Sequence, residues 1–271
     1  MSETITTYED LLNMLDSLLR EPTAFWNEFY EDREKGVPFF ENFPDENLVT
    51  YFEGGLIGPG KALELGCGPG RNAIYLAQKG CSVDAVDLSK AALEWGKERA
   101  AEKKVHVNFI QRNIFNLDIE EGQYDFVYDS GCFHHIAPHR RINYLEMVKK
   151  ALRPKGLYSI TCFVEGGILG GADLSDWEVY RQRSLKGGLG FTEEKLRMIF
   201  NEFEVVEIRK MRKMEQSDET FGVQGLWTAL FMKKSSHKIG EMVMNGGSGS
   251  RSFFVMKKRE DMLTKYKTGK L

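Results

Sequence analysis

Cysteine is scarce in this chain, and the four cysteines lie far apart, at positions 67, 81, 132 and 162. No two of them form a C-x-x-C pair, and their spacing does not match that of a zinc finger. A disulfide framework and a structural metal site are therefore excluded as the features that organise the fold. Reduced thiols fit a cytoplasmic protein, which is the location that we expect.

The chain also lacks an excess of positive charge and a long apolar run. Its formal net charge is −3 and its isoelectric point is near 6.0, so it has no basic footprint for nucleic acid. Residues 1–10 have neither the basic start nor the apolar stretch of a signal peptide, and no later run approaches a membrane span. We expect a small-molecule substrate, with neither nucleic acid nor membrane as a partner. The oligomeric state stays open.

What the sequence does contain is enough apolar residues for one large core, since 42% of the 271 residues are hydrophobic. Strand-like runs alternate with helical patterns, and these runs are 61–65, 82–86, 105–111, 124–129, 157–163, 205–210 and 226–232. This alternation predicts an α/β fold in which helices cover both faces of a mostly parallel sheet.

Composition divides the chain into three regions. Residues 1–55 contain two predicted helices, at 8–19 and 23–35, and many aromatic side chains; 56–234 contain the alternating core; 235–271 begin like a linker and end as a basic tail. Within the core, the glycine-rich residues 165–190 follow a strand, which predicts a cover over a site, with a plain surface loop as the alternative. The composition of the tail fits a remnant of an expression vector, a disordered extension or a docking helix, and does not distinguish among the three.

The most informative segment is Glu64-Leu65-Gly66-Cys67-Gly68-Pro69-Gly70, between the first predicted strand and a predicted helix at 71–79. Its glycines allow a tight turn and let the bare backbone approach a ligand, which a β-carbon would obstruct. A strand, a glycine turn and a helix in this order predict a cradle for a nucleoside.

The residues around this loop indicate which nucleoside. A dinucleotide fingerprint requires a further glycine where Arg71 stands, and Glu64 would repel a pyrophosphate but attract a cation. Asp87 ends the next strand. In nucleotide-binding α/β folds, an acidic side chain at this position accepts hydrogen bonds from the ribose hydroxyls. Ribose recognition combined with a cation favours S-adenosylmethionine and disfavours a nicotinamide cofactor.

These residues resemble the class I S-adenosylmethionine-dependent methyltransferases, whose motifs occur in family order between residues 62 and 233. The resemblance implies a Rossmann-like sheet with a last antiparallel strand, and S-adenosylmethionine as cofactor. It places the glycine loop at the methionyl end and Asn113 beside the adenine, where many relatives carry Asp; Asn also offers an acceptor oxygen. The cofactor-binding residues that it implies are Glu64, Gly66, Cys67, Gly68, Gly70, Asp87, Leu88, Asn113, Ile114 and Asp129.

After the fourth predicted strand, the patterns D-x-G and I-x-P-x-x-R-x-x-Y span Asp129 to Tyr144 and resemble the thiopurine and thiol methyltransferase branch, with the tellurite-resistance enzymes as neighbours. This implies methyl transfer to a small-molecule acceptor, with a thiol or chalcogen compound as the boldest prediction. An amine or hydroxyl acceptor is the first alternative. An aminopropyl transferase and a non-catalytic S-adenosylmethionine-binding protein are further alternatives.

His134 and His135 follow the same strand, where ligands sit in open α/β sheets. His134 is the candidate general base, and packing beneath the cofactor is the alternative for either histidine. No metal is expected, because Cys132 and the two histidines lack a fourth ligand. The predicted substrate-binding residues, mostly apolar as such sites require, are Trp26, Phe39, Phe40, His134, Arg141 and Trp177.

Overall fold

Seven strands form one mixed sheet in the computed structural model, which describes residues 4–235. In chain order they are β1 Lys61–Leu65, β2 Ser82–Asp87, β3 Asn108–Gln111, β4 Tyr124–Ser130, β5 Leu152–Phe163, β6 Phe203–Lys210 and β7 Leu226–Lys233. Every predicted strand is present. β5 begins earlier than the predicted residue 157, because Leu152 already pairs with Tyr124 ahead of an irregularity in the register.

The strand order is β3-β2-β1-β4-β5-β7-β6. Neighbours from β3 to β5 pair in parallel, whereas β7 is antiparallel to both β5 and β6. The mostly parallel sheet and the antiparallel last strand are therefore confirmed. From β1 the chain moves outward to β3 and then returns to β4 on the other side of β1, which opens a crevice at the carboxyl ends of β1 and β4.

Eight α-helices surround the sheet: α1 Tyr8–Asp16, α2 Pro22–Glu31, α3 Glu46–Glu53, α4 Arg71–Gln78, α5 Lys90–Glu102, α6 Arg141–Ala151, α7 Asp176–Gln182 and α8 Glu193–Ile199 within residues 4–235. α1 begins with a capping box in which Thr7 and Asp10 bond each other's backbone. α2 begins one residue earlier than predicted, because Pro22 suits the first helical turn. α3 was not predicted from the sequence.

Apolar side chains pack on both faces of the sheet, as the sequence predicted. On one face α6 and α8 contribute residues such as Tyr144, Val148, Leu196 and Phe200. On the other face α3 and α4 contribute residues such as Leu48, Tyr51, Ile74 and Leu76. The sheet is therefore held between two helical layers, which fixes the carboxyl ends of its strands. None of the helices within residues 4–235 has the length and apolar content to cross a bilayer.

The glycine-rich residues 165–190 lie against the carboxyl end of the sheet. Their two ends are joined by bridges between Val164 and Phe191 and between Ala172 and Leu189. The Leu189 N–H donates to the carbonyl of His134 at 2.8 Å, and α7 lies within the same stretch. The segment therefore packs directly on the chain that follows β4.

Candidate functional site

The glycine loop makes a sharp turn between β1 and α4. Gly66 and Gly68 have φ values of +62° and +51°, a region that side chains rarely adopt. A β-carbon on Gly66 would stand 2.6 Å from the β-carbon of Cys132, which neither backbone could accommodate. The loop therefore requires glycine here, and Gly70 follows as the N-cap of α4.

Cys67 lies inside this loop and is buried. Its N–H donates to the carbonyl of Val86 at 2.9 Å, which ties the loop to β2. Burial raises the pKa of the Cys67 thiol well above its ordinary value, so the thiol stays protonated and serves as a small packing group.

Glu64, near the end of β1, places a carboxyl group beneath the loop. Only 2% of the residue is exposed, and its Oε2 has no hydrogen-bond partner among the described residues. Burial raises the pKa of Glu64 to about 8, with Arg71 opposing this rise and Asp45 adding to it. A buried carboxyl with an unpaired oxygen is costly, and a positively charged ligand would relieve that cost.

Asp87, at the end of β2, stands beside the glycine loop. Its two carboxylate oxygens accept from the N–H groups of Gly68 and Ser89, both at 2.8 Å. Burial raises its pKa, and each oxygen keeps a lone pair for a further donor. Leu88 is half-buried and follows directly, so the predicted ribose acid and the predicted methionyl loop are brought together.

Asn113 and Ile114 lie in the turn after β3. The side-chain oxygen of Asn113 accepts from the N–H of Phe115 at 3.0 Å, which fixes the turn with one of its two lone pairs. Ile114 is buried in the core. Both residues lie near the carboxyl edge of the sheet, on the side of β2 away from β1.

Asp129 is fully buried at the end of β4 and is held by other groups of the fold. One oxygen accepts from the N–H groups of Cys132 and Phe133, at 2.9 and 3.2 Å. The other accepts from the Tyr144 hydroxyl at 2.5 Å. Burial raises the pKa of Asp129 to about 7. Because both oxygens are engaged, the visible effect of Asp129 is to shape the turn that carries the histidines.

His134 and His135 lie in the turn that Asp129 fixes. The His134 ring stacks on Phe163 with 3.8 Å between the ring centroids, and its Nδ1 has no hydrogen-bond partner within the described chain. Burial and the neighbouring His135 hold the pKa of His134 well below its ordinary value. Burial lowers the pKa of His135 to about 4, with a contribution from Arg20. Both rings are therefore neutral near neutral pH.

Aromatic side chains from the N-terminal region cover the loop and the histidines. Trp26, Phe39 and Phe40 belong to one apolar cluster with Tyr30, and the Trp26 ring meets His135 edge-on at 4.7 Å. Three of the predicted substrate-site aromatics are thus brought together, and one of them, Trp26, contacts His135, the neighbour of the candidate base His134. No sequence pattern distinguishes Tyr30 from the other aromatic residues of this region.

Trp177 and Arg141 are placed differently from these aromatics. Trp177, in α7, is 77% exposed, because it lies on the outer side of a short helix. The Arg141 guanidinium binds both carboxylate oxygens of Asp176, at 2.8 and 2.9 Å. In this conformation neither side chain joins the aromatic cluster.

A buried polar network lies next to the loop and was not predicted from the sequence. Arg71 forms an ion pair with Asp45 at 2.6 Å, and Asp45 also accepts from the Tyr128 hydroxyl at 2.6 Å. The Arg71 guanidinium also donates to Ser130 at 3.1 Å. In the sequence, Arg71 stands out only because it occupies the position of a glycine in the dinucleotide fingerprint, and no local pattern relates Asp45 to it. Within residues 4–235, no three His, Cys, Asp or Glu side chains are grouped as a metal site.

Comparison with known proteins gives this arrangement a context. Residues 62–156 match the family model described as a methyltransferase domain. An uncharacterized methyltransferase of Schizosaccharomyces pombe is 42% identical over 74 residues, which cover 27% of this chain and 51% of that protein. The 2-heptyl-1-hydroxyquinolin-4(1H)-one methyltransferase of Mycobacteroides abscessus is 27% identical over 156 residues, 57% of this chain and 66% of that protein. The chain spans about half the length of the first of these relatives.

Solved structures resemble the chain over more of its length. Burkholderia thailandensis 1,6-didemethyltoxoflavin-N1-methyltransferase, with bound 1,6-didemethyltoxoflavin and S-adenosylhomocysteine, has a TM-score of 0.60 at 20% identity, covering 87% of this chain and 94% of that one. TehB from Haemophilus influenzae has a TM-score of 0.53 at 21% identity, covering 69% and 62%. At such identities the likeness establishes a common fold.

Proposed function

We propose that this chain, which carries a class I methyltransferase domain, transfers a methyl group from S-adenosylmethionine to a small-molecule acceptor. The observation that carries the proposal is the Glu64 carboxyl group, buried beside the glycine loop with one oxygen unpaired among the described residues. A cationic ligand would satisfy that oxygen, and the methionyl ammonium of S-adenosylmethionine is such a cation.

The groups around Glu64 fit the rest of this cofactor. The loop of Gly66, Gly68 and Gly70 would hold the methionyl end, and Asp87 would accept from the ribose hydroxyls with the lone pairs that Gly68 and Ser89 leave free. Asn113 and Ile114, after β3, would lie beside the adenine. When bound, S-adenosylmethionine supplies an electrophilic methyl group on a positively charged sulfur.

The surroundings of His134 suit a displacement at a methyl group. Such a reaction is accelerated mainly by holding the nucleophile close and by excluding water. The rings of Trp26 and Phe163 flank the two histidines and would provide an apolar wall. The covers at residues 4–40 and 165–190 would close this wall over the reacting groups.

For the acceptor, a thiol or a related chalcogen compound is the proposal that the histidine environment favours. A buried His134 whose pKa lies well below its ordinary value is a weak base. A thiol with a pKa of about 8.5 is already partly ionised near neutral pH and needs little help from such a base. His134 would then orient the acceptor through its unpaired Nδ1.

An amine or hydroxyl on a heteroaromatic ring is the second candidate. It is favoured by the aromatic wall and by two similar proteins, one named as a methyltransferase of a hydroxyquinolone and the other as a methyltransferase of a toxoflavin precursor. A planar acceptor could stack against Trp26 or Phe163. This candidate requires more from His134, because such groups more often need to lose a proton.

The direct test is release of S-adenosylhomocysteine during incubation with S-adenosylmethionine and a panel of thiols, selenols, amines, hydroxylated heteroaromatics and oxyanions. Turnover with thiols or selenols alone supports the first candidate, and turnover with amines or hydroxyls alone supports the second. Release of methylthioadenosine instead would indicate aminopropyl transfer. Binding of S-adenosylmethionine without turnover on any acceptor would indicate a non-catalytic binding protein.

A further inference from the structure

The hydroxyl of Tyr30, in α2, lies directly over the glycine loop. A β-carbon built on Gly68 would come within 2.8 Å of the Tyr30 oxygen. The Tyr30 ring stacks on Phe40 with 5.7 Å between the ring centroids, and only 8% of the residue is exposed. The side chain therefore reaches the centre of the cradle from outside the methyltransferase domain of residues 62–156.

This hydroxyl is a hydrogen-bond donor that is available to a ligand. It forms no hydrogen bond with any residue that the structure describes. Burial, together with the nearby charge of Asp87, raises the pKa of Tyr30 well above its ordinary value, so the group keeps its proton near neutral pH. Because the hydroxyl has no partner among these residues, its proton is free to be donated to a ligand. Its position indicates a ligand that accepts a hydrogen bond above Gly68.

The position of Tyr30 is fixed by contacts between α2 and α5. The side-chain oxygen of Asn27 accepts from the N–H of Ala91 at 3.2 Å, and Arg33 forms an ion pair with Glu98 at 2.6 Å. These contacts attach α2 to the helix that begins just after Asp87. The Tyr30 hydroxyl is thus held over the loop by α5, the helix that follows the proposed ribose-binding residue Asp87.

The methionyl group of the cofactor carries a carboxylate as well as an ammonium. Glu64 would bind the ammonium and repel the carboxylate. The nearby cation, Arg71, is already engaged: its guanidinium pairs with Asp45 and donates to the Phe43 carbonyl and to the Ser130 hydroxyl. We propose that the Tyr30 hydroxyl donates a hydrogen bond to the methionyl carboxylate, so that the N-terminal region completes the cofactor site. This inference rests on the proposed cofactor.

The test compares two ligands in Tyr30→Phe. S-Adenosylhomocysteine has the amino-acid group, whereas methylthioadenosine has the same nucleoside and thioether without it. Loss of a hydrogen bond to a charged group should weaken binding of S-adenosylhomocysteine about 10- to 100-fold by calorimetry. Binding of methylthioadenosine should stay within about twofold of the wild type, since the ring of Phe keeps the packing.

Tyr75→Phe is the matched control. Tyr75, in α4, also has a buried hydroxyl without a hydrogen-bond partner among the described residues, but its ring packs on Phe52. Both ligands should bind this variant like the wild type.

Three outcomes would overturn the inference. If Tyr30→Phe binds S-adenosylhomocysteine as tightly as the wild type, the proposed hydrogen bond does not exist, while the proposed function is unaffected. An equal loss for both ligands would mean that the substitution disturbs packing rather than one contact. Failure of the wild-type protein to bind either ligand would overturn the cofactor assignment together with this inference.

Discussion

The predicted cofactor cradle and its proposed cover are built differently. The cradle, residues 64–70 with Asp87, is held by backbone geometry: glycines at positive φ and carboxylate bonds to N–H groups. The cover, residues 4–40 and 165–190, is held by ring contacts and by ion pairs whose partners are partly exposed. We therefore expect a change in the cradle to weaken ligand binding directly, and a change in the proposed cover to alter how readily the site closes.

Besides the contacts of α2 with α5, three consecutive residues after β4 attach both parts of the cover to the core. His139 bonds both Asp16 of α1 and the Tyr180 hydroxyl of α7, each at 2.8 Å. Arg140 binds Asp16 and Glu9, and Arg141 binds Asp176. One short stretch thus connects both parts of the cover to the segment that carries His134. Exposed partners make these pairs individually weak, because water and salt screen them.

The largest loss of ligand affinity should come from Gly68→Val, a substitution in the glycine loop of the cradle. A side chain at this positive φ is strained, and its β-carbon would lie 2.8 Å from the Tyr30 oxygen. Binding of S-adenosylhomocysteine should fall by more than about 100-fold, the scale expected when strain and steric overlap each cost more than 1 kcal/mol. Isothermal calorimetry measures this loss.

Gly36→Val provides the control for that variant. A β-carbon on Gly36 would meet nothing within 4 Å, so affinity should be unchanged. A folded Gly68→Val protein that binds S-adenosylhomocysteine normally would contradict the assignment of the cradle.

Asp87→Ala should have the next largest effect. It removes charge-assisted hydrogen bonds to the ribose, which corresponds to about 1.5–3 kcal/mol of binding free energy. Asp84→Ala is the matched control, because Asp84 lies on the same strand and accepts from Asn108 and Tyr124 at 2.7 and 2.8 Å. Equal affinities of the two variants for S-adenosylhomocysteine would rule out a ribose role for Asp87.

Glu64 should make cofactor binding depend on pH. Its pKa of about 8, above the ordinary 4.5, means that the folded free protein keeps a proton that the unfolded chain releases. This group therefore lowers the free energy of unfolding as pH rises between these values. The ammonium of the cofactor favours the charged carboxylate, so affinity should rise by up to about tenfold per pH unit below about pH 8, with release of a proton.

The measurement is calorimetry in two buffers of different ionisation enthalpy. Glu64→Gln should abolish both the proton release and this pH dependence, whereas Glu53→Gln, on the exposed end of α3, should retain them. If the wild type binds S-adenosylhomocysteine with the same affinity at about pH 6 and about pH 8, Glu64 does not contact the ammonium.

The strands and the glycine turn beside Asp87 were predictable from the sequence, because both depend on local patterns. Alternating apolar runs mark β1 to β7, and the spacing of Glu64, the glycines and Asp87 follows from one turn between two strands. The cover and the buried network around Arg71 depend on pairs far apart in the chain, such as Asp16 with Arg140 and Asp45 with Arg71. No local pattern encodes such pairs. For the same reason the exposed position of Trp177 and the approach of Tyr30 to Gly68 could not be predicted.

The cover should show a smaller effect, visible in dynamics rather than affinity. Hydrogen exchange in residues 4–40 and 165–190 should slow several-fold when S-adenosylhomocysteine and an acceptor bind, because closure protects amides that open locally. Arg140→Ala should reduce this slowing over α1, while Arg153→Ala, which breaks an ion pair with Asp125, should not. Exchange that is identical with and without ligands would mean that these segments are ordinary surface.

The smallest effect should come from His134→Ala if the acceptor is a thiol. His134 is a weak base because burial lowers its pKa, and an ionised thiol needs no base, so turnover should fall less than about tenfold and mainly at lower pH, where less thiolate is present. An amine or hydroxyl acceptor predicts a loss of about 10²–10⁴-fold instead. His106→Ala, an exposed histidine, should leave turnover unchanged. A large loss in His134→Ala, combined with turnover on amines or hydroxyls but not on thiols, would replace the thiol proposal with the heteroaromatic one.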